Sequence, residues 1–199
     1  MLKVGLTGGI GTGKSFILEI FRKEGVCTAE ADALAKRIYQ EDPFLRRELS
    51  SEFGPGLFKG HYPIKEKLEA ILFDDPGKRK AFSQIFYPCF FKHQKLFFQS
   101  LQEQGIGMVI YESALLFEVG SFDLFDRIIL ASCPQSIQWE RVRERGLKEE
   151  KIRKIIGSQG DPSEVVNHVH FVIHTGDEKE RTRSETLHTL EELRKLLIQ

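Results

Sequence analysis

Cysteine is scarce in this chain, which has 3 cysteines among its 199 residues. Cys27, Cys89 and Cys133 lie far apart, and no two of them form a CxxC pair. An odd and scattered set of cysteines argues against a disulfide framework and is typical of a reducing compartment. We therefore expect a cytoplasmic protein.

Net charge and long apolar runs are also lacking. The 29 lysines and arginines balance 29 aspartates and glutamates, so no net field favours nucleic acid or a membrane surface as a partner. No run approaches the roughly 20 apolar residues that span a bilayer, and the first apolar segment is too short for a signal peptide. We expect small-molecule partners, no nucleic acid, no membrane, and a monomer or weak homo-oligomer.

Short apolar segments alternate with amphipathic ones along most of the chain. The predicted strands are residues 2–7, 26–30, 107–113, 126–132 and 170–175. The predicted helices include residues 14–23, 31–40 and 178–197, with a charged helical stretch before the last strand. Strands that alternate with helices predict an α/β protein whose parallel sheet is covered on both faces.

Residues 43–105 do not follow this alternation. They have little strand character and include a long helical segment, about 78–104, that is rich in phenylalanine. Pro88 lies inside this segment and predicts that the helix ends or kinks there. We interpret the region as a helical insertion for substrate binding, and we expect its phenylalanines to form mainly core. The alternative for part of this wide apolar band is the lining of a substrate channel.

A glycine-rich motif follows the first predicted strand. Residues 8–15, "GGIGTGKS", match G-x-x-x-x-G-K-[ST]. Glycines let backbone N–H groups converge on phosphate oxygens, and the N-terminus of the next helix attracts the same anion. Lys14 would reach the β- and γ-phosphates, and the Ser15 hydroxyl would bind Mg²⁺. The expected nucleotide contacts are Gly8, Gly9, Gly11, Thr12, Gly13, Lys14, Ser15 and Phe16.

Other features narrow the chemistry of this nucleotide site. The chain has no [NT]KxD motif for reading guanine, which argues against a GTPase. Glu30 and Asp32 follow the second predicted strand, at the carboxyl edge of the sheet where α/β proteins bind ligands. The other interpretation of Asp32 is a helix N-cap or first-turn acid, which is a common role.

The segments "GLTGGIGTGKS" and "EADALAKR" together resemble the dephospho-CoA kinase family. Later segments follow in that family's order: "LEAILFDDPGKRKAFSQIFYP", "YESALLFE", "QSIQWERVRERGLKEEKIRKIIGSQ" and "HFVIHTG". The resemblance implies transfer of the γ-phosphate of ATP to the ribose 3′-hydroxyl of dephospho-CoA, the last step of coenzyme A synthesis. It also implies a P-loop NTPase fold, a three-layer α/β/α sandwich with a five-stranded parallel sheet, a helical substrate insertion and a helical lid.

The same resemblance implies a domain plan. Residues 1–199 would form a single P-loop kinase domain, with a nucleotide-binding core at 1–42 and 106–199. Residues 43–105 would form the helical subdomain for the CoA moiety, and about 138–160 would form the lid.

Roles for acceptor-side residues also come from the resemblance. Asp32 would be the acid nearest the acceptor hydroxyl, as general base or orienting group. Lys65 and Tyr87 would bind the acceptor together with Asp32. In the family, the position of Tyr87 is a histidine, and Lys65 replaces an arginine, so a bidentate contact becomes a point charge.

Roles on the phosphate side follow in the same way. Arg141 and Arg145, spaced i and i+4, would act with Lys14 on the transferring phosphoryl group. The alternative for the two arginines is a solvated charged helix face. Glu112 follows an apolar strand, where a carboxylate often holds Mg²⁺, and it would do so with Ser15. Its alternative is an acid that pairs with a nearby lysine.

Several positions depart from the family pattern. They are Phe16, Glu30, Ile64, Lys65, Tyr87, Glu112, Ala114, His170 and Thr175. Carboxylates persist at 30, 32 and 112, so the ATP half of the pattern is intact while contacts to the CoA moiety change more. Two alternatives stay open, which are a small kinase with another acceptor, such as a nucleoside monophosphate or shikimate, and a nucleotide-binding module without catalysis.

Three late histidines, His168, His170 and His174, raise the question of a metal site. His168 and His170 would share a face of an extended segment, but no third ligand is evident in the sequence. We interpret all three as surface or strand-edge residues.

Overall fold

The computed structural model describes residues 1–117, 119–158 and 166–198. The chain divides into two compact units. The sheet unit contains Met1–Glu30 and Gly105–Gln199, and the helical unit contains Ala31–Gln104. Among the described residues, no helix combines the length and the apolar character that crossing a membrane requires.

The strands and helices are numbered in chain order. The strands are β1 (Leu2–Thr7), β2 (Cys27–Glu30), β3 (Phe58–Lys59), β4 (Tyr62–Pro63), β5 (Met108–Glu112), β6 (Arg127–Ser132) and β7 (Phe171–His174). The helices are α1 (Lys14–Lys23), α2 (Ala31–Glu41), α3 (Pro43–Phe53), α4 (Lys65–Glu69), α5 (Pro76–Glu103), α6 (Gln135–Glu144), α7 (Glu149–Ser158) and α8 (Lys179–Lys195). A π-helical turn, Ala70–Asp74, joins α4 to the segment before α5.

The sheet unit is built on a five-stranded sheet in the order β2-β5-β1-β6-β7. Every neighbouring pair is parallel. The predicted α/β fold with a five-stranded parallel sheet is therefore confirmed. Because the strands are parallel, their last residues, such as Thr7, Glu112 and Ser132, lie along the same edge of the sheet.

Alternating residues of β1 face opposite sides of this sheet. Val4 and Leu6 are fully buried in a cluster with side chains of α1 and α8, among them Phe21 and Leu193. On the other side, a Cβ at Gly5 would lie 2.7 Å from Leu116 Cδ1. The strand is therefore buried on both faces, as expected for a parallel sheet.

Helix α1 begins and ends where the sequence predicts. Gly13 precedes it with φ +81°, a left-handed conformation that favours glycine, and the helix starts at Lys14. Its buried side chains are Ile17, Leu18, Ile20 and Phe21. Phe16, the last of the expected nucleotide contacts, has 37% of its surface exposed.

The core of the helical unit is aromatic. Tyr39 of α2 contacts Phe86 of α5 with ring centroids 5.6 Å apart, and Phe86 stacks on Phe82 at 5.2 Å. Phe53 of α3 lies 6.3 Å from Phe82. The buried phenylalanines of α5 are Phe82, Phe86, Phe90 and Phe98. These four confirm the expectation that the phenylalanines of this segment form mainly core.

Helix α5 does not end at Pro88, so the predicted end there is wrong, and the predicted kink stays a prediction. It runs without interruption from Pro76 to Glu103. Proline removes one backbone N–H from the helical ladder. Phe86 and Phe90 are buried on either side of it, and their burial stabilises the helix across the missing hydrogen bond.

Two helices of this unit begin with the same dipeptide, aspartate followed by proline. Asp42 caps α3, because its Oδ1 accepts a hydrogen bond of 2.9 Å from the Leu45 N–H. Asp75 caps α5 through the N–H groups of Gly77 and Lys78. An aspartate N-cap satisfies N–H groups that have no partner in the first turn, and proline suits the first helical position.

Candidate active site

The glycine-rich loop joins β1 to α1 at the carboxyl edge of the sheet. Gly8, Gly11 and Gly13 have φ values of +144°, +77° and +81°. A Cβ at Gly8 would lie 2.5 Å from the Ala131 carbonyl oxygen, and one at Gly11 would lie 2.8 Å from that of Gln138. Glycine is needed at both positions because the backbone conformation and the available space each exclude a side chain.

Lys14 is the first residue of α1, and its side chain lies along the loop. Its Nζ donates hydrogen bonds to the carbonyl oxygens of Gly8, at 2.8 Å, and Gly9, at 3.1 Å. The same Nζ lies 3.7 Å from Oε1 of Glu112, the last residue of β5. The predicted lysine and the predicted metal-binding carboxylate are thus brought together, and both side chains are largely buried.

The N-terminus of α1 directly follows the glycine-rich loop. Gly13 is its N-cap and supplies no side-chain hydrogen bond. Ser15 lies in the first turn and is exposed. Because helix N-terminal N–H groups carry partial positive charge, this end of α1 provides the electrostatics of a phosphate site.

Arg141, in α6, is held against the phosphate loop. Its Nη1 donates to the Gly11 carbonyl oxygen and to the Thr175 Oγ1, each at 3.3 Å. Its Nη2 donates to the Thr175 carbonyl oxygen. Arg145, by contrast, follows the last residue of α6 and is exposed. The structure therefore brings one of the two predicted lid arginines to the loop.

Thr175, one of the positions that depart from the family pattern, joins the same network. It directly follows β7 and is 3% exposed. Its Oγ1 donates a hydrogen bond of 2.6 Å to the Thr12 carbonyl oxygen. Its position after a parallel strand, on the same edge as the loop, is the signal in the sequence that would have identified it.

The Thr12 side chain makes a hydrogen bond inside the loop. Its Oγ1 donates to the Gly9 carbonyl oxygen at 2.8 Å, and the residue is 3% exposed. Thr12 therefore acts on loop shape through its side chain and offers its carbonyl oxygen to Thr175.

The predicted acceptor-side residues belong to the helical unit. Asp32 is an exposed residue in the first turn of α2, and Lys65 is the exposed first residue of α4. Tyr87 is half-buried in α5, where its ring stacks on Phe91 at 5.8 Å and meets Phe86 edge-on at 5.5 Å. Asp32 and Lys65 therefore lie at the starts of helices, and Tyr87 lies among the aromatic rings of α5.

The late histidines have separate partners. The His168 ring lies 4.2 Å from that of Phe122, the His170 Nδ1 accepts from the Ile128 N–H, and His174 contacts Glu185. Burial, together with the positive charge of Arg127, lowers the pKa of His170, which favours the neutral ring. Within the described residues, the side chains that converge as metal ligands could are Asp42, Cys89 and His93, which belong to the helical unit.

The predicted lid falls on α6 and α7. Trp139 of α6 lies beneath two guanidinium groups, those of Arg143 at 5.8 Å and Arg153 at 5.6 Å from its ring centre. The end of the predicted lid, residues 159–160 with Gln159, lies outside the described residues.

Comparison with known proteins identifies the class and then the family. A parallel sheet with a G-x-x-x-x-G-K-S loop between its first strand and first helix is typical of the P-loop NTPase fold. A crystal structure from Thermus thermophilus shares this fold with a TM-score of 0.82 at 24% identity, covering 96% of each chain. A dephospho-CoA kinase from Campylobacter jejuni gives 0.71 at 23% identity, covering 97% of each chain.

Sequence comparison is more specific than the fold. The family model for dephospho-CoA kinase matches residues 2–180. The dephospho-CoA kinase of Bartonella henselae is 31% identical over 193 residues, covering 96% of this chain and 98% of that protein. The chain belongs to the dephospho-CoA kinase family.

Proposed function

We propose that this protein transfers the γ-phosphoryl group of ATP to the ribose 3′-hydroxyl of dephospho-CoA, giving coenzyme A and ADP. The main support is the family match over residues 2–180. A phosphate loop with Lys14 aligned along it gives the match a physical basis. Phosphoryl transfer depends mainly on positioning and charge stabilisation, which are what such a loop supplies.

On the ATP side, the amides of the loop and the first turn of α1 would surround the phosphates. Lys14 would exchange its hydrogen bonds with Gly8 and Gly9 for bonds to the β- and γ-phosphates. Arg141 is already beside the loop at Gly11 and would stabilise charge on the transferring group. Arg145 would join it on closure of a lid formed by about 138–160, which would exclude water and limit hydrolysis.

Mg²⁺ would be held on the same side of the site. Ser15 and Glu112 supply a hydroxyl and a carboxylate, the oxygen ligands that Mg²⁺ prefers, and the phosphates would supply others. Glu112 also lies 3.7 Å from Lys14, so one carboxylate would serve both cations. The bound ion would neutralise charge that develops between the β- and γ-phosphates.

On the acceptor side, Asp32 would accept or orient the proton of the 3′-hydroxyl. We assign binding of the CoA moiety to residues 43–105, with Lys65 as a cation for a phosphate group and Tyr87 as an aromatic contact. The enzyme would work in the cytoplasm as a monomer or weak homo-oligomer. The three free cysteines suit a reducing compartment.

Release of ADP by the full-length protein tests the proposal. Mg²⁺-ATP would be supplied with dephospho-CoA, with AMP, with shikimate, or with no acceptor. We expect release that depends on dephospho-CoA. Release only with another acceptor would make the protein a kinase of different specificity, and ATP binding without release would make it a nucleotide-binding module.

Asp32→Asn tests the acceptor side separately. Loss of a general base lowers turnover by about 100-fold or more, whereas the affinity for ATP should stay unchanged. Glu41→Gln, at the other end of α2, is the control, since Glu41 pairs with Arg37 at 3.7 Å and has no assigned role. Equal turnover of Asp32→Asn and wild type would remove Asp32 from the mechanism.

A further inference from the structure

Three side chains of different ligand type converge in the helical unit, and none of the three is an assigned catalytic residue of the proposed phosphoryl transfer. The Asp42 Oδ2 lies 3.3 Å from the Cys89 Sγ and 3.2 Å from the His93 Nε2. The three ligand atoms all lie within 4.8 Å of one another. A carboxylate, a thiol and an imidazole therefore point at one small volume.

The backbone holds these side chains in place. Cys89 and His93 are spaced i and i+4 in α5, so they lie on one face of the helix. Asp42 comes from the N-cap of α3, where its Oδ1 accepts from the Leu45 N–H. That bond orients the carboxylate and leaves Oδ2 toward α5, as outer hydrogen bonds orient ligands in metal sites.

The distances suit a tetrahedral ion. Zinc bonds of about 2.0–2.3 Å place neighbouring tetrahedral ligand atoms roughly 3.3–3.6 Å apart. The observed separations of 3.2 Å and 3.3 Å from the Asp42 Oδ2 need only a small adjustment. Sulfur and nitrogen ligands favour Zn²⁺ over Mg²⁺, which prefers oxygen.

We propose that Asp42, Cys89 and His93 form a zinc site that joins the start of α3 to the middle of α5. Water would occupy the fourth position, and the His93 and Asp42 side chains, 22% and 21% exposed, leave the ion a path from solvent. The site goes beyond the proposed phosphotransfer and would stabilise the helical unit. The competing arrangement is a hydrogen-bonded triad in which the thiol and the imidazole both donate to Asp42.

Cobalt binding distinguishes the two arrangements. The full-length protein, stripped with chelator and free of nucleotide, would be titrated with Co²⁺. We expect one equivalent to produce a thiolate-to-cobalt charge-transfer band and tetrahedral d–d absorption, both abolished by Zn²⁺. Cys89→Ser should remove the band, and His93→Gln should weaken binding by more than about 10-fold, the lower range for losing an outer-shell partner.

Cys27→Ser is the matched control, since Cys27 is also a half-buried free cysteine but lies in β2. It should keep the full cobalt band. A wild-type protein without a thiolate band at one equivalent would overturn the proposal, and so would a band that persists in Cys89→Ser. The wild-type titration tests the zinc site even if a variant fails to fold. The cobalt spectra of the wild type and of Cys89→Ser do not depend on ATP turnover.

Discussion

The phosphate loop, residues 8–15, and the helical unit are each held together by different contacts. In the loop, backbone carbonyl oxygens accept hydrogen bonds from side chains. In the helical unit, many of the contacts are between aromatic rings. Lys14, Arg141 and Thr175 all donate to carbonyl oxygens of the loop. In the helical unit, by contrast, Phe82, Phe86 and their neighbours pack ring against ring.

None of the nine departures from the family pattern falls within the loop, residues 8–15, whereas Ile64, Lys65 and Tyr87 lie in the helical unit. A loop shaped by backbone geometry admits few residue types, because each glycine needs its φ value or its space. A core that needs apolar volume accepts many substitutions of similar size. The acceptor-side departures, such as Tyr87 and Lys65, lie in the helical unit, where packing admits more residue types than the loop does.

The largest expected effect is that of Lys14→Ala, which would remove the loop's ammonium group. Loss of one charge-stabilising donor lowers turnover by about 100- to 1000-fold. Dephospho-CoA-dependent ADP release would measure it. Lys23→Ala, at the exposed end of α1, should behave like wild type. Residual Lys14→Ala activity within tenfold of wild type would contradict the assigned role.

Substitution of Gly11 separates loop geometry from simple backbone strain. Gly11 and Gly25 have φ values of +77° and +76°, but a Cβ would meet the Gln138 carbonyl oxygen only at Gly11. Both alanine variants should lose about 1–2 kcal/mol of stability from left-handed strain. Displacement of the loop in Gly11→Ala should also lower kcat/KM for ATP by about 100-fold.

Denaturant unfolding and steady-state kinetics would measure the two effects. If kcat/KM for ATP falls equally in the Gly11 and Gly25 variants, backbone strain alone, and not the contact with α6, causes the loss of activity.

Thr175→Val tests the hydrogen bonds that join β7 to the loop. The hydroxyl donates to the Thr12 carbonyl and accepts from Arg141. Leaving a buried carbonyl without its donor costs about 1–3 kcal/mol, so KM for ATP should rise by about 10-fold.

Thr186→Val is the matched control for this variant. Thr186 is fully buried, and its hydroxyl donates within α8 to the Thr182 carbonyl oxygen at 2.7 Å. It should lose stability without a change in KM for ATP. The role of Thr175 would be disproved by equal kinetics in the two valine variants.

The smallest expected effect is that of Tyr87→His, which restores the family residue in the helical unit. A partly exposed cation contributes up to about 1 kcal/mol, so KM for dephospho-CoA should fall by at most about fivefold. KM for ATP should stay the same. Tyr62→His, at an exposed tyrosine of the same unit, should change neither value. If Tyr87→His changes only KM for ATP, the assignment of Tyr87 to the acceptor side is wrong.

Much of the sheet unit could be predicted because its signals are local. The bounds of α1 follow from Gly13, which adopts a left-handed conformation, and from apolar spacing within ten residues. Pro88 shows the limit of local rules, since its effect on the helix depended on burial of Phe86 and Phe90. The order of strands in the sheet also required contacts between distant segments.

By itself, the sequence determined the phosphate loop, because its pattern lies within eight consecutive residues, and it indicated the family through the order of several segments along the chain. Tertiary structure alone decided that Thr175 bonds to Thr12 and that Asp42 meets Cys89 and His93. These partners are 163, 47 and 51 residues apart in the chain. No local pattern encodes such pairs, because they depend on how parallel strands align and how α3 packs on α5.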